Sequence, residues 1–120
     1  MGGRLSDPKL MESFDSILSV NLRSIIELTH VAAPALIESK GNVVVISSEN
    51  ALKIGESIPY SVSKASYFTR CAALDLASQG VRVNAVLPAP IITNIGTHSG
   101  INEEDMKYFK KLVDLCPLKN

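Results

Sequence analysis

The sequence has no tryptophan, and aromatic residues make up only 5% of it. Any core must therefore be built from aliphatic side chains. Charge of one sign is not in excess, with 12 basic residues against 12 acidic ones. Nucleic-acid binders carry a basic excess or stripe, so that class is set aside. No apolar run reaches the ~20 residues that a membrane-spanning helix requires. The opening residues do not read as a secretory signal. Cysteine is scarce, and Cys71 and Cys116 stand far apart in no metal or redox spacing. Two reduced thiols point to an intracellular protein, with a cytoplasmic setting expected and mitochondrial or peroxisomal ones left open. His30 and His98 lack partners at metal-ligand spacing, so no metal site is expected. A glycine-rich turn between a strand and a helix, the usual seat of a dinucleotide diphosphate, is also missing. Gly2 and Gly3 follow no strand and do not replace it.

What is present is enough for one domain: 120 residues, 46% of them hydrophobic. Phe14, Leu18, Asn21, Leu22, Ile25, Ile26, Thr29, Ala32 and Leu36 recur at helical spacing, which predicts a long helix over about 10–39. Pro34 is expected to kink it or shorten its last turns. Val43-Val44-Val45-Ile46-Ser47 is β-branched and apolar throughout, the pattern of a strand buried on both faces. A helix over about 58–78 follows, with Gly80 suited to the position past its end. The next strand runs from Val81 to Leu87 and stops at Pro88. After a loop, Asn102, Glu103, Glu104 and Asp105 form the N-cap and acidic first turn of a last helix ending near Leu115. Cys71 reads as a small apolar residue of its helix.

Strand, helix, strand with a crossover of this length predicts a parallel pair joined by a right-handed connection. Parallel sheets have several strands covered on both faces. Two strands for three helices are explained most simply by further strands that are missing; a complete domain with a third, unrecognised strand is the alternative. The fold class is α/β, a partial doubly wound parallel sheet of the Rossmann kind, in the order helix-strand-helix-strand-helix. The chain reads as one partial catalytic domain over residues 1–120.

Ligands of open α/β sheets bind beyond the carboxyl ends of the strands. Ser47-Ser48, Pro88 to Thr93 and the start of the helix with Tyr60 all meet that edge. Tyr60 and Lys64 are four residues apart, which places phenol and ammonium on one helix face. A nearby cation favours the phenolate form, as does a place near a helix N-terminus. Such a phenol suits general acid-base work.

The ordered set of Ser47-Ser48, Tyr60-Ser61-Val62-Ser63-Lys64-Ala65, Val81-Arg82-Val83-Asn84-Ala85-Val86 and Pro88 resembles the short-chain dehydrogenase/reductase family in order and spacing. The resemblance runs from about Leu10 to Leu118. It implies an NAD(P)-dependent oxidoreductase interconverting secondary alcohols and ketones, with a small-molecule substrate and NAD or NADP as cofactor. By this resemblance Tyr60 is the catalytic acid or base. Lys64 tunes it and holds the nicotinamide ribose, and Ser48 hydrogen-bonds the substrate oxygen. Ser47 competes for that place, because its interval to Tyr60 fits the family better; the interval from Asn21 favours Ser48. Asn21 would hold a water in the proton relay. Ile91 and Thr93 would meet the nicotinamide carboxamide. Ala89 and Pro90 depart from the pattern there, since glycine is usual where Ala89 stands. The family's diphosphate-binding turn and its last strand are absent. The resemblance also implies subunit pairing through the helices over 10–39 and 58–78, giving a homo-oligomer of the intact fold. A non-catalytic remnant that serves as an interaction module is the alternative.

Overall fold

In a computed structural model the chain is described at residues 3–52, 57–65 and 67–91 and at Glu104, Lys107, Lys110 and Lys111. It divides into two compact units, Gly2–Leu87 and Pro88–Asn120, the latter joined by Met1. In the second, the four described positions from Glu104 to Lys111 are helical, as the acidic N-terminal pattern predicts.

The first unit carries the elements in the predicted order. Helix α1 spans Leu10–Leu18 and continues through one π-helical turn, Ser19–Arg23, into α2, Ser24–Ser39. Strand β1 is Asn42–Ile46. A short 3-10 turn, Glu49–Ala51, precedes α3, Ile58–Lys64, and α4, Phe68–Ala77. Strand β2, Arg82–Val86, closes the order and pairs parallel with β1, Val43 beside Val83 and Ile46 beside Val86.

Pro34 sits inside α2, which runs on to Ser39, the end that the periodicity predicts. The carbonyl it deprives of a donor, that of His30, belongs to an exposed residue and is open to solvent. One expectation is corrected. The single helix over 58–78 is two helices, because Ala65 and Tyr67 have ψ of 4° and 3°, too far from helical values to extend the ladder. Cys71 lies on α4, as its place in the pattern predicts, and is exposed. Gly80 does stand just past α4, at φ +79°, a conformation that side chains resist.

The core is small. Leu76 of α4, Val81 and Val83 are buried, with Leu36, Ile37, Val43, Ala72 and Ala73 packed around them. Helices α2 and α4 thus cover the sheet face that carries Val43 and Val83. The other face is bare: Val44, Ile46 and Val86 are 49%, 59% and 50% exposed. The strand expected to be buried on both faces is buried on one. Its apolar sequence matches a two-sided environment that the described residues fill on one side only.

The β1 edge away from β2 is likewise open among the described residues. Ser47 N–H donates to Val86 O at 2.8 Å, and Arg82 N–H to Gly41 O at 3.1 Å. In a parallel ladder, alternate residues turn their amides toward one neighbour. Odd-numbered residues of β1 therefore face β2, and Asn42, Val44 and Ile46 turn theirs outward.

Candidate active site

Helix α3 carries Tyr60 and Lys64, and three sets of contacts seat it. At its start, Ser57 is the N-cap in extended conformation, its hydroxyl accepting the Tyr60 N–H at 3.5 Å. Pro59, fully buried, occupies the first turn, where its missing N–H costs nothing. The Ile58 N–H, one of the amides that a helix start leaves over, donates to Gly3 O at 3.0 Å.

In the middle, Ser63 is 3% exposed. Its hydroxyl donates to Tyr60 O at 2.7 Å and accepts from the Asn21 side-chain amide at 3.1 Å. Asn21 lies in the π-helical turn, an insertion that recurs at functional sites because it re-aims one residue. Here the re-aimed amide reaches across to α3.

At the end of α3, two bonds tie it to the carboxyl end of β1. The Ser47 hydroxyl donates to Lys64 O at 2.7 Å, and the Lys64 ammonium donates to Ile46 O at 3.2 Å. Ile46 O is one of the outward-facing carbonyls of the open edge, so Lys64 caps that edge at the point nearest the site. The amine also lies 5.8 Å from the centre of the Tyr60 ring, which puts phenol and ammonium on one face as their spacing predicts. Partial burial holds the Lys64 amine below its ordinary value of 10.5, because desolvation disfavours the charged form.

The two serines that sequence spacing leaves open are used differently. The Ser47 proton is committed to the Lys64 carbonyl. The Ser48 oxygen accepts the Asn50 N–H at 3.2 Å as N-cap of the 3-10 turn, and among the described residues its own proton has no acceptor. Asn21 and Lys64 are not bonded to each other; Ser63 stands between Asn21 and the Tyr60 backbone. Ile91 is exposed and belongs to the second unit. Thr93, His98 and Cys116 lie outside the described residues. Ser63 and Gly3 are the residues that sequence reasoning missed. A serine inside the Tyr-to-Lys stretch reads as filler until its burial is seen. Gly3 reads as loop until its neighbour is seen. Among the described residues no group of acidic, histidine and cysteine side chains could hold a metal ion. No described helix is long and apolar enough to cross a membrane.

Residues 3–120 match the family model described as enoyl-(acyl carrier protein) reductase. The chain belongs to the short-chain dehydrogenase/reductase family. It is 34% identical over 113 residues to L-xylulose reductase of Caenorhabditis elegans, covering 90% of this chain and 44% of that protein. It is 38% identical over 85 residues to L-fucose dehydrogenase of Bos taurus, covering 68% of this chain and 32% of that one. The chain thus spans less than half the length of these relatives. Among solved structures, a short-chain dehydrogenase/reductase of Caenorhabditis elegans with cofactor superposes at TM-score 0.72 with 33% identity, over 80% of this chain and 37% of that one. A short-chain dehydrogenase of Burkholderia cenocepacia in complex with NADP gives 0.73 with 28% identity, over 82% and 44%. The fold is accordingly the α/β arrangement of this family, present in part.

Proposed function

We propose that this chain supplies the acid-base half of an NAD(P)-dependent oxidoreductase of secondary alcohols and ketones. The observation that carries the reading is the convergence of the Tyr60 ring, the Lys64 ammonium and the Ser47-Ser48 end of β1 around one short helix. The Tyr60 hydroxyl passes the proton to or from the substrate oxygen. Ser48, whose proton is uncommitted, donates to that oxygen and orients it. Lys64 stabilises the phenolate left behind, and its two N–H groups not used by Ile46 suit ribose hydroxyls. Asn21 and Ser63 hold the helix in place; the water that family likeness assigns to Asn21 would sit beside a side-chain amide already engaged by Ser63. Ile91 and Thr93 are proposed at the nicotinamide carboxamide by likeness alone. The nicotinamide, when bound, supplies or accepts the hydride. The residues present fit its ribose end. The 120 residues hold no glycine-rich turn for the diphosphate, so NAD and NADP are equally open.

Two measurements follow. Calorimetric titration of the chain alone with NADH or NADPH is expected to show no saturable binding, since these 120 residues hold no glycine-rich turn to seat the diphosphate. A chimera with this chain in place of the matching part of the Caenorhabditis elegans L-xylulose reductase is expected to bind NADPH or NADH and reduce simple ketones or ketoses, L-xylulose included. A chimera that binds the nicotinamide cofactor but moves no hydride to any of them refutes the reading.

A second reading rests on exposed apolar side chains. Leu28 and Val31 of α2 and Leu74 of α4 are 70%, 78% and 81% exposed. Single exposed apolar residues are ordinary, but three on α2 and α4 suit pairing with a second copy. Sedimentation of the chain is expected to show dimer that Leu28→Lys with Leu74→Lys converts to monomer. A parent chain monomeric at every concentration removes this reading and leaves the catalytic one standing.

A further inference from the structure

Gly3 lies far in sequence from the proposed catalytic group yet is buried against its helix. A Cβ at this position would stand 2.8 Å from the Ser57 Cα and 3.1 Å from its Cβ and Oγ. The closest of these is backbone, which no rotamer change relieves. The Gly3 carbonyl meanwhile accepts the Ile58 N–H at 3.0 Å. Ser57 is the N-cap of α3, so both contacts fall on the end of the helix that bears Tyr60 and Lys64.

We propose that Gly3 is a positioning residue: by offering a carbonyl and no side chain, it sets how deeply the start of α3 sits, and through α3 where Tyr60 and Lys64 stand. The inference rests on the catalytic reading for its significance, but not for its geometry. Helix α3 has only seven residues, so it behaves as a short rigid lever. A shift at Ser57 is carried to Lys64, whose amine reaches Ile46 O at 3.2 Å with little slack. The Lys64 titration therefore reports where the helix sits. An amine drawn out of its partly buried place should recover its ordinary value of 10.5.

The test is the titration of the Lys64 Cε carbon by NMR in the folded 120-residue chain. Gly3→Ala is expected to raise the Lys64 midpoint toward 10.5 and to move the Asn21 and Ser63 signals, while those of Leu76 and Val83 in the core stay in place. A glycine with a merely structural role would lower the melting temperature and leave the Lys64 midpoint unmoved. Should Gly3→Ala fail to fold, Ile58→Pro decides. It removes the N–H that Gly3 accepts and sets the ring Cδ in its place against the Gly3 carbonyl oxygen, which pushes the start of α3 outward, and proline suits the first helical position after an extended Ser57. The same upward shift is expected. An unmoved midpoint in a folded variant overturns the proposal. The outcome is independent of hydride transfer, so an inactive chimera would refute the catalytic reading without touching this one.

Discussion

Replacing Ser63 with alanine is expected to destabilise the chain by about 1–3 kcal/mol, the cost of leaving a buried polar partner unsatisfied. The Ser63 hydroxyl is donor to Tyr60 O and acceptor from Asn21 at once. Removing it strands the Asn21 amide against α3, where no other described side chain is bonded to it. Few interactions can absorb that loss, because among the described residues the buried apolar core amounts to Leu76, Val81 and Val83. For a domain of this size, ~2 kcal/mol corresponds to a melting-temperature fall on the order of 10 °C. Two companions make the result decisive. Ser61, two residues earlier on the same helix, has a buried hydroxyl with no partner among the described residues. Ser61→Ala is therefore expected to be neutral or slightly stabilising. Asn21→Leu with Ser63→Ala removes both polar partners, and the pair should cost less than the sum of the two single changes. Thermal unfolding followed by circular dichroism measures all four. Equal stability of Ser63→Ala and Ser61→Ala would mean that the bridge from the π-turn to α3 contributes nothing.

That bridge also marks where sequence reading stops. The order of elements, the parallel pairing and the shared face of Tyr60 and Lys64 were legible, because each follows from periodicity, crossover length or spacing. The burial of β1 on both faces was not borne out, since the described residues cover only one of its sides. The π-turn at Ser19–Arg23 was not legible. Its residues are ordinary helix formers, and the extra residue in the turn is selected by what Asn21 reaches, a contact 42 residues away. The break between α3 and α4 was hidden for the same reason. No glycine or proline marks Ala65 to Tyr67; the end of α3 is fixed by Ser47 on the Lys64 carbonyl. The competition between Ser47 and Ser48 could not be resolved by counting, since the interval to Tyr60 favours one serine and the interval from Asn21 the other. The two hydroxyls differ in partner: Ser47 donates to the Lys64 carbonyl and Ser48 accepts the Asn50 N–H.

Tyr60→Phe in the chimera with the L-xylulose reductase remainder is expected to lower kcat by about 10²–10⁴-fold, the usual worth of a positioned general acid or base. That corresponds to roughly 3–5 kcal/mol of transition-state stabilisation. The substitution keeps the ring and its packing and removes one oxygen, so cofactor affinity should change little. Tyr67→Phe is the matched control, because Tyr67 is 68% exposed and lies beyond the end of α3. Lys64 adds a pH signature. Its amine is held below 10.5 by desolvation, so the folded chain gives up that proton earlier than the unfolded chain does. Between the two values the unfolded state binds more protons, and this group's contribution to stability rises with pH across that window. Activity should move the opposite way. The ammonium that steadies the phenolate is lost as pH climbs through the depressed value, and kcat should begin to fall below pH 10.5. Lys64→Arg keeps a cation over the whole range and should carry the decline to higher pH, at a lower plateau because the guanidinium cannot reproduce the compact contact with Ile46 O. Rates followed by nicotinamide absorbance across pH test both statements. Turnover within tenfold of the parent in Tyr60→Phe, with cofactor still bound, would place the proton transfer on another group.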